Sequence, residues 1–288
     1  MNVNKPAVSV IVPVYNRPEV VISALQSVLD QTFTDFEVVV VDDGSTPPLT
    51  LPEKIGADDR VKIIHLARNQ GPSAARNAGA RAARGQWLAW LDSDDAWHDD
   101  KLSKQMHYLE QLNRPDAMIA LATGFEYHHS TGKREQRIPL PASTPLPFFS
   151  GCWYCPGTTL ILSATSFAKV GGFDEDMLRL EDIDWFARFA LLGGHLEIVP
   201  EVLVAINTGA KAPYAKVQKA GAYLLSKFNG EDWDLPSGAR NQLSAYLNIE
   251  YAASAISCDH NYLRGLGHLA ASWFRHPRAR LHLQKFWR

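Results

Sequence analysis

The chain has 288 residues, 46% hydrophobic and 21% charged, enough for a sizeable core in one large α/β domain with an appendage, or in two domains. Its 29 lysines and arginines nearly balance 31 aspartates and glutamates, and the net charge of -2 argues against a nucleic-acid partner. No apolar run is long enough to span a bilayer, the first residues lack the apolar core of a secretory signal, and three cysteines without a framework suit a reducing cytoplasm.

In chain order, Val8 to Val12 is an apolar strand closed by Pro13-Val14-Tyr15-Asn16. Apolar residues at Val20, Val21, Ala24, Leu25, Val28 and Leu29 have helical spacing, with Pro18 suited to a first turn. Phe36 to Val41 reads as a second buried strand, ending in Asp42-Asp43-Gly44-Ser45. Val61 to Leu66 is a third strand, and Gly71-Pro72-Ser73 opens an alanine-rich helix that stops at Gly85. Trp87 to Leu91 is a fourth strand that ends abruptly at Asp92, Asp94 and Asp95. This alternation predicts a mostly parallel central sheet flanked by helices.

Ligands of open α/β sheets gather at the carboxyl ends of the strands, so Asp43 and the Asp92 to Asp95 acids are expected in one cleft. Carboxylates packed so closely repel one another unless a cation sits among them, and a hard divalent ion shared with phosphate oxygens is the economical solution. The bland alternative is a solvated acidic turn that caps the next helix. Tyr15 offers a face on which a flat base can stack, Asp43 an acceptor for a base N–H, and Arg76 a guanidinium for phosphate or ribose. No GxGxxG or GxxxxGK[ST] occurs, which argues against a dinucleotide dehydrogenase and a P-loop ATPase. Cys152-Trp153-Tyr154-Cys155 is a lone CxxC with no second ligand pair, read as structural or incidental.

Four blocks together resemble the family-2 glycosyltransferases of GT-A fold. They are Val8-Ser9-Val10-Ile11-Val12-Pro13-Val14-Tyr15-Asn16, then Val40-Val41-Asp42-Asp43-Gly44-Ser45, then Arg68-Asn69-Gln70-Gly71 through Ala75-Arg76-Asn77-Ala78-Gly79, and Leu91-Asp92-Ser93-Asp94-Asp95. The resemblance implies an inverting transfer from a nucleotide-activated sugar with Mn2+ or Mg2+. It implies that Pro13, Tyr15 and Asp43 hold the nucleotide base, that Asp92 and Asp94 face ribose, diphosphate and metal, and that Asp94 is the direct metal ligand. UDP is the nucleotide it favours; GDP and dTDP stay open.

Further along, a helix is expected over Ala96 to Asn113, strands at Ala117 to Ala122 and Thr158 to Leu162, and a polar hairpin with a proline-rich loop over Tyr127 to Phe149, near the acceptor side. His128-His129 in that loop is read as solvated. Ile183, Phe186, Ala187 and Ala190 share one helical face, behind acids at the helix start where the dipole favours negative charge. By resemblance, Gly171-Gly172-Phe173-Asp174 followed by Glu181-Asp182 looks like the catalytic-base motif, with Asp182 the base. Inversion needs an acceptor hydroxyl to attack opposite the leaving diphosphate, and a carboxylate can take its proton. One departure stands out. After strands at Leu196 to Val199 and Val202 to Ile206, where many relatives place a basic residue and a histidine, the chain reads Asn207-Thr208-Gly209-Ala210-Lys211; Asn207 or Lys211 is the expected substitute.

Residues 1–210 are thus expected to form the transferase domain and 211–288 a helical region. The tail over 264–288 interleaves Arg275, Arg278, Arg280, Lys285 and Arg288 with Trp273, Phe274, Phe286 and Trp287, and no acid follows Asp259. That pattern suits an anionic membrane surface at the inner face of a membrane, and a solvated terminal helix with its aromatics packed on the core or on another subunit is the alternative. The resemblance implies a saccharide or lipid-linked acceptor in surface polysaccharide or glycolipid synthesis. A non-catalytic nucleotide-sugar-binding scaffold of the same fold is the first rival. A sugar-phosphate nucleotidyltransferase is the second, and it lacks its glycine- and lysine-rich triphosphate segment here.

Overall fold

A computed structural model describes residues 5–114, 118–209, 212–230 and 233–277. The first strand β1 (Val8–Val14), β2 (Phe36–Asp42), β3 (Val61–His65) and β4 (Trp87–Trp90) are joined through helices α1 (Val20–Leu29), α2 (Glu53–Gly56) and α3 (Pro72–Ala82). All four strands are parallel, in the spatial order β3-β2-β1-β4. The chain moves outward from β1 to β3, then returns through α3 to lay β4 on the other side of β1. That reversal opens a crevice beyond the carboxyl ends of β1 and β4.

β2 shows why a continuous apolar run is needed here. Val38 and Val40 face one core cluster and Val39 and Val41 the other, because helices cover both sides of the sheet. α3 seats tightly on this layer: a Cβ at Gly79 would lie 2.4 Å from Ile11 Cγ2, so only glycine permits the approach.

Past β4 the pairing becomes mixed. β5 (Ala96–Trp97), α4 (Lys101–Leu112), β6 (Ile119–His128), β7 (Arg134–Arg137), α5 (Pro156–Thr159), β8 (Ile161–Ser163), α6 (Ala164–Val170), α7 (Glu181–Leu191) and β9 (His195–Asn207) follow. The sheet continues β4-β8-β6-β9-β5, with β7 paired to β6. β4–β8, β6–β8, β6–β7 and β5–β9 are antiparallel, and β6–β9 is parallel.

Three sequence expectations shift. The helix expected from Ala96 begins at Lys101, because Ala96 and Trp97 pair with Ala205 and Val204 of β9. The strand expected at Thr158 begins at Ile161, because Pro156 starts a short helix there. The two final strands are one, β9, whose register against β6 slips around Thr123 and Gly124 opposite Val199 to Val202.

Helices α8 (Tyr214–Asn229), α9 (Ala239–Ser257) and α10 (Tyr262–Arg275) complete the described chain. Leu224, Phe228, Leu243 and Leu247 of α8 and α9 share one core cluster with Phe149, Ile183 and Ala187. Lys227 of α8 lies 2.7 Å from both Asp174 and Asp184, which ties α8 to α7 and to the turn before it. Among the described residues, no helix is long and apolar enough to cross a membrane.

Candidate active site

The β1 and β2 ends form one side of the crevice. Pro13 pairs with Val41 at the end of β1, and Val14 with Asp42, so Tyr15 and Asp43 leave the sheet side by side. Tyr15 is 45% exposed and presents its ring to solvent. Asp42 is a scaffold acid: it accepts from Ser45 N–H, Leu49 N–H and the His65 ring. Burial pushes its carboxyl up, but these bonds more than offset that and leave it below its ordinary value. Asp43 spends one oxygen on Gln70 N–H and the other on Gly71 N–H, both at 2.8 Å. Its job in the fold is to hold the loop that starts α3. Each oxygen keeps a lone pair that a base N–H can use.

Deeper in, a cavity of about 440 Å³ opens between the β4 end, the α3 start and α7. Arg76, Asp92, Asp95 and Asp182 all line it, whereas Pro13, Tyr15, Asp43 and Asp94 do not. Arg76 is its structural centre. One guanidinium nitrogen donates to Asp92 Oδ1 and the other to Glu181 Oε1, each at 2.8 Å. Burial weakens the cation, yet the two carboxylates outweigh it and hold Arg76 above its ordinary value. The expected phosphate clamp is thus a strut that fastens the β4 end to the α7 start. Gly157 allows this crowding, since a Cβ there would lie 2.5 Å from Asp92 Oδ2.

Asp182 sits one residue into α7, with Oδ1 accepting from Ile183 N–H at 2.8 Å. Burial, then the charge of Glu181 and a smaller one from Glu250, push its carboxyl up to about 7, against the Ile183 bond and Arg76. A carboxylate so placed is poised between acid and base near neutrality.

Asp94 and Asp95 point differently despite being adjacent. Arg17 Nη1 donates to Asp94 Oδ2 at 2.7 Å, a partner 77 positions away that sequence reading missed. Its signal is a basic residue directly after Tyr15-Asn16. Asp95 is 6% exposed and accepts from Asn207 N–H at 3.0 Å. Burial, then the charge of Asp92, with Asp94 adding less, push it up to about 8 against that bond. Asn207, the proposed substitute for a missing histidine, also donates its side-chain amide to the Asp94 carbonyl. It staples β9 to the acidic turn. Lys211, the other substitute, and the tail residues 278–288 lie outside the described residues.

The acidic turn fits a hard cation in one form only. Asp95 is raised partly by the nearby charges of Asp92 and Asp94, although each has an arginine partner, and a cation would relieve that repulsion. Yet Arg17 already holds one Asp94 oxygen, and among the described residues no group of three or more His, Cys, Asp or Glu side chains forms a metal site. These residues suit an ion that draws most of its ligands from a bound diphosphate, not a protein-only cage.

The CxxC cysteines also line the cavity, and both are free. Burial pushes Cys155 up to about 12 and Cys152 up as well, so neither thiol is an ionised ligand or nucleophile. His128 sits 2.7 Å from Glu126, away from the cavity.

The fold and the four sequence blocks have counterparts among known proteins. Over 94% of its length the chain superposes on 81% of the S. aureus TarS 1-349 chain solved with UDP, with a TM-score of 0.65 at 19% identity. TarS 1-349 solved with UDP-GlcNAc gives the same TM-score over 92% of the chain. At this identity the likeness is one of fold. The putative teichuronic acid biosynthesis glycosyltransferase TuaG of Bacillus subtilis is 42% identical over 109 residues, 36% of this chain and 42% of TuaG. The succinoglycan biosynthesis protein ExoO of Rhizobium meliloti is 42% identical over 118 residues, 40% of this chain and 32% of ExoO. The chain thus spans less than half the length of these two relatives. The glycosyl transferase family 2 profile matches residues 9–169, more than half of the chain, and the protein belongs to that family.

Proposed function

We propose that this protein transfers a sugar from a UDP-sugar to an acceptor hydroxyl with inversion, assisted by Mn2+ or Mg2+, in the synthesis of a surface polysaccharide or glycolipid. The observation that carries the reading is the cavity in which Asp182 and Asp92 are linked through Arg76 and Glu181. UDP in the TarS complexes and the polysaccharide roles named for TuaG and ExoO support the donor and the pathway class.

Tyr15 stacks on the base, and the free lone pairs of Asp43 meet its N–H groups. The Arg76 strut holds Asp92 toward the donor and fixes Glu181 beside Asp182. Asp182 takes the proton from the acceptor hydroxyl as the oxygen attacks the anomeric carbon. Asp94 would hold the divalent ion, which would neutralise charge on the departing diphosphate.

The test is one variant. Asp182→Asn keeps the size of the side chain and removes the base, so turnover of UDP-sugar and acceptor falls on the order of a thousandfold while UDP affinity is retained. Wild-type turnover in that variant overturns the mechanism, and UDP binding without turnover in the wild type, with or without Mn2+, favours the non-catalytic scaffold. α10 adds a location. Leu263, Leu266, Trp273 and Phe274 are exposed on it beside Arg264 and Arg275, and a basic, aromatic tail follows in sequence. This face fits an anionic lipid surface, and co-sedimentation with phosphatidylglycerol vesicles that is lost at high salt is the expected result.

A further inference from the structure

Two residues from beyond β9 reach the cavity among the described residues, Tyr246 and Glu250, one turn apart on α9. Their position is firmly set. Gln242, one turn before Tyr246, donates to the Leu146 carbonyl at 3.0 Å. A Cβ at Gly151 would lie 2.4 Å from Tyr246 Cε2, so the ring is seated against backbone with no slack. The Tyr246 hydroxyl then donates to Glu250 Oε1 at 3.0 Å and orients the carboxylate.

The other Glu250 oxygen has no donor, and no lysine, arginine or histidine pairs with it among the described residues. Glu250 is half-buried and lines the cavity, so solvent reaches this oxygen, and a ligand O–H is a donor that can replace water there.

We infer that Glu250 binds a hydroxyl of the acceptor and selects which neighbouring hydroxyl faces Asp182. The inference rests on the transferase reading above. An uncompensated negative charge repels the donor diphosphate and leaves a neutral hydroxyl unaffected, which places Glu250 on the acceptor side. It also sets the acceptor class: a neutral polyol or sugar with a hydroxyl next to the attacking one. An acceptor carrying a carboxylate or phosphate at that position is disfavoured. The helical region beyond β9 therefore takes part in substrate choice.

The test uses the full chain saturated with UDP and a panel of methyl glycosides, read by saturation-transfer NMR, with UDP affinity measured by calorimetry. At least one glycoside binds the wild type, and Glu250→Ala weakens it tenfold or more while the UDP Kd stays within twofold. Removing the glycoside hydroxyl that meets Glu250 weakens binding to the wild type and adds no further loss in Glu250→Ala. Glu250→Gln keeps the Tyr246 bond, which separates loss of charge from loss of packing. Absence of glycoside binding, or equal binding to wild type and Glu250→Ala, overturns the inference. So does a Glu250→Gln variant that only shifts the acid limb of the rate profile and leaves glycoside affinity unchanged. Failure of the wild type to bind UDP sinks the transferase reading itself.

Discussion

The acids that close β2 and the acid that opens α7 differ in how far the fold satisfies them. Asp42 accepts three hydrogen bonds and Asp43 two, all from groups of the protein. Asp182 accepts a single backbone N–H, from the residue beside it, and faces a cavity with the Cys152 thiol, Glu181 and Glu250 as neighbours. A saturated acid builds a loop, whereas one left short of partners keeps capacity for a ligand. This difference separates scaffold from chemistry better than acidity or position in the sequence, because strand ends and helix starts collect acids for both reasons.

Arg76→Met tests the contrast most severely. It leaves a largely buried Glu181 without its cation beside a partly exposed Asp92, and a cost of about 2 kcal/mol is expected in urea unfolding, with loss of turnover. A cost under about 1 kcal/mol would mean that the strut is solvated in solution.

Asp182→Asn probes the opposite case, an acid that burdens the fold. Its folded pKa, about 7, lies above the ordinary carboxylate value. Between pH 4 and 7 the folded protein therefore retains a proton that the unfolded chain releases, and this contribution to stability falls as pH rises. The variant should be more stable than wild type at pH 8, by about 1 kcal/mol or ~2–4 °C in Tm, with the gap closing toward pH 4. The same titration gives wild-type turnover an acid limb near pH 7, set by Asp182 among Glu181, Glu250, Arg76, Cys152, Tyr154 and Tyr246. A variant less stable than wild type at pH 8 would remove the claim that Asp182 is held under strain.

Asp43→Asn is the mildest probe. The amide can still accept from one of the two loop N–H groups, so about 1 kcal/mol of stability is lost and UDP affinity drops severalfold. An unchanged UDP Kd would assign Asp43 to the loop alone.

Much of the architecture was legible because burial leaves local patterns. The apolar runs at Val8, Phe36 and Trp87 are buried strands, the run at Val61 is a half-buried edge strand, and each is a strand in the fold. The helical face of Ile183, Phe186, Ala187 and Ala190 is buried as its spacing predicts. Element edges were less legible, as at Ala96 and Thr158, because pairing with β9 and the start at Pro156 decided them.

From its residues alone this chain determined where backbone runs straight, where it turns, and which strand ends carry acids, since those follow from near-neighbour sterics and hydrophobic spacing. Only the folded chain decided the partners: Arg17 with Asp94 across 77 positions, Asn207 with Asp95 across 112, and Glu250 in a cavity begun by β4. Such pairings depend on the order in which strands are laid into the sheet, and no local period records that order.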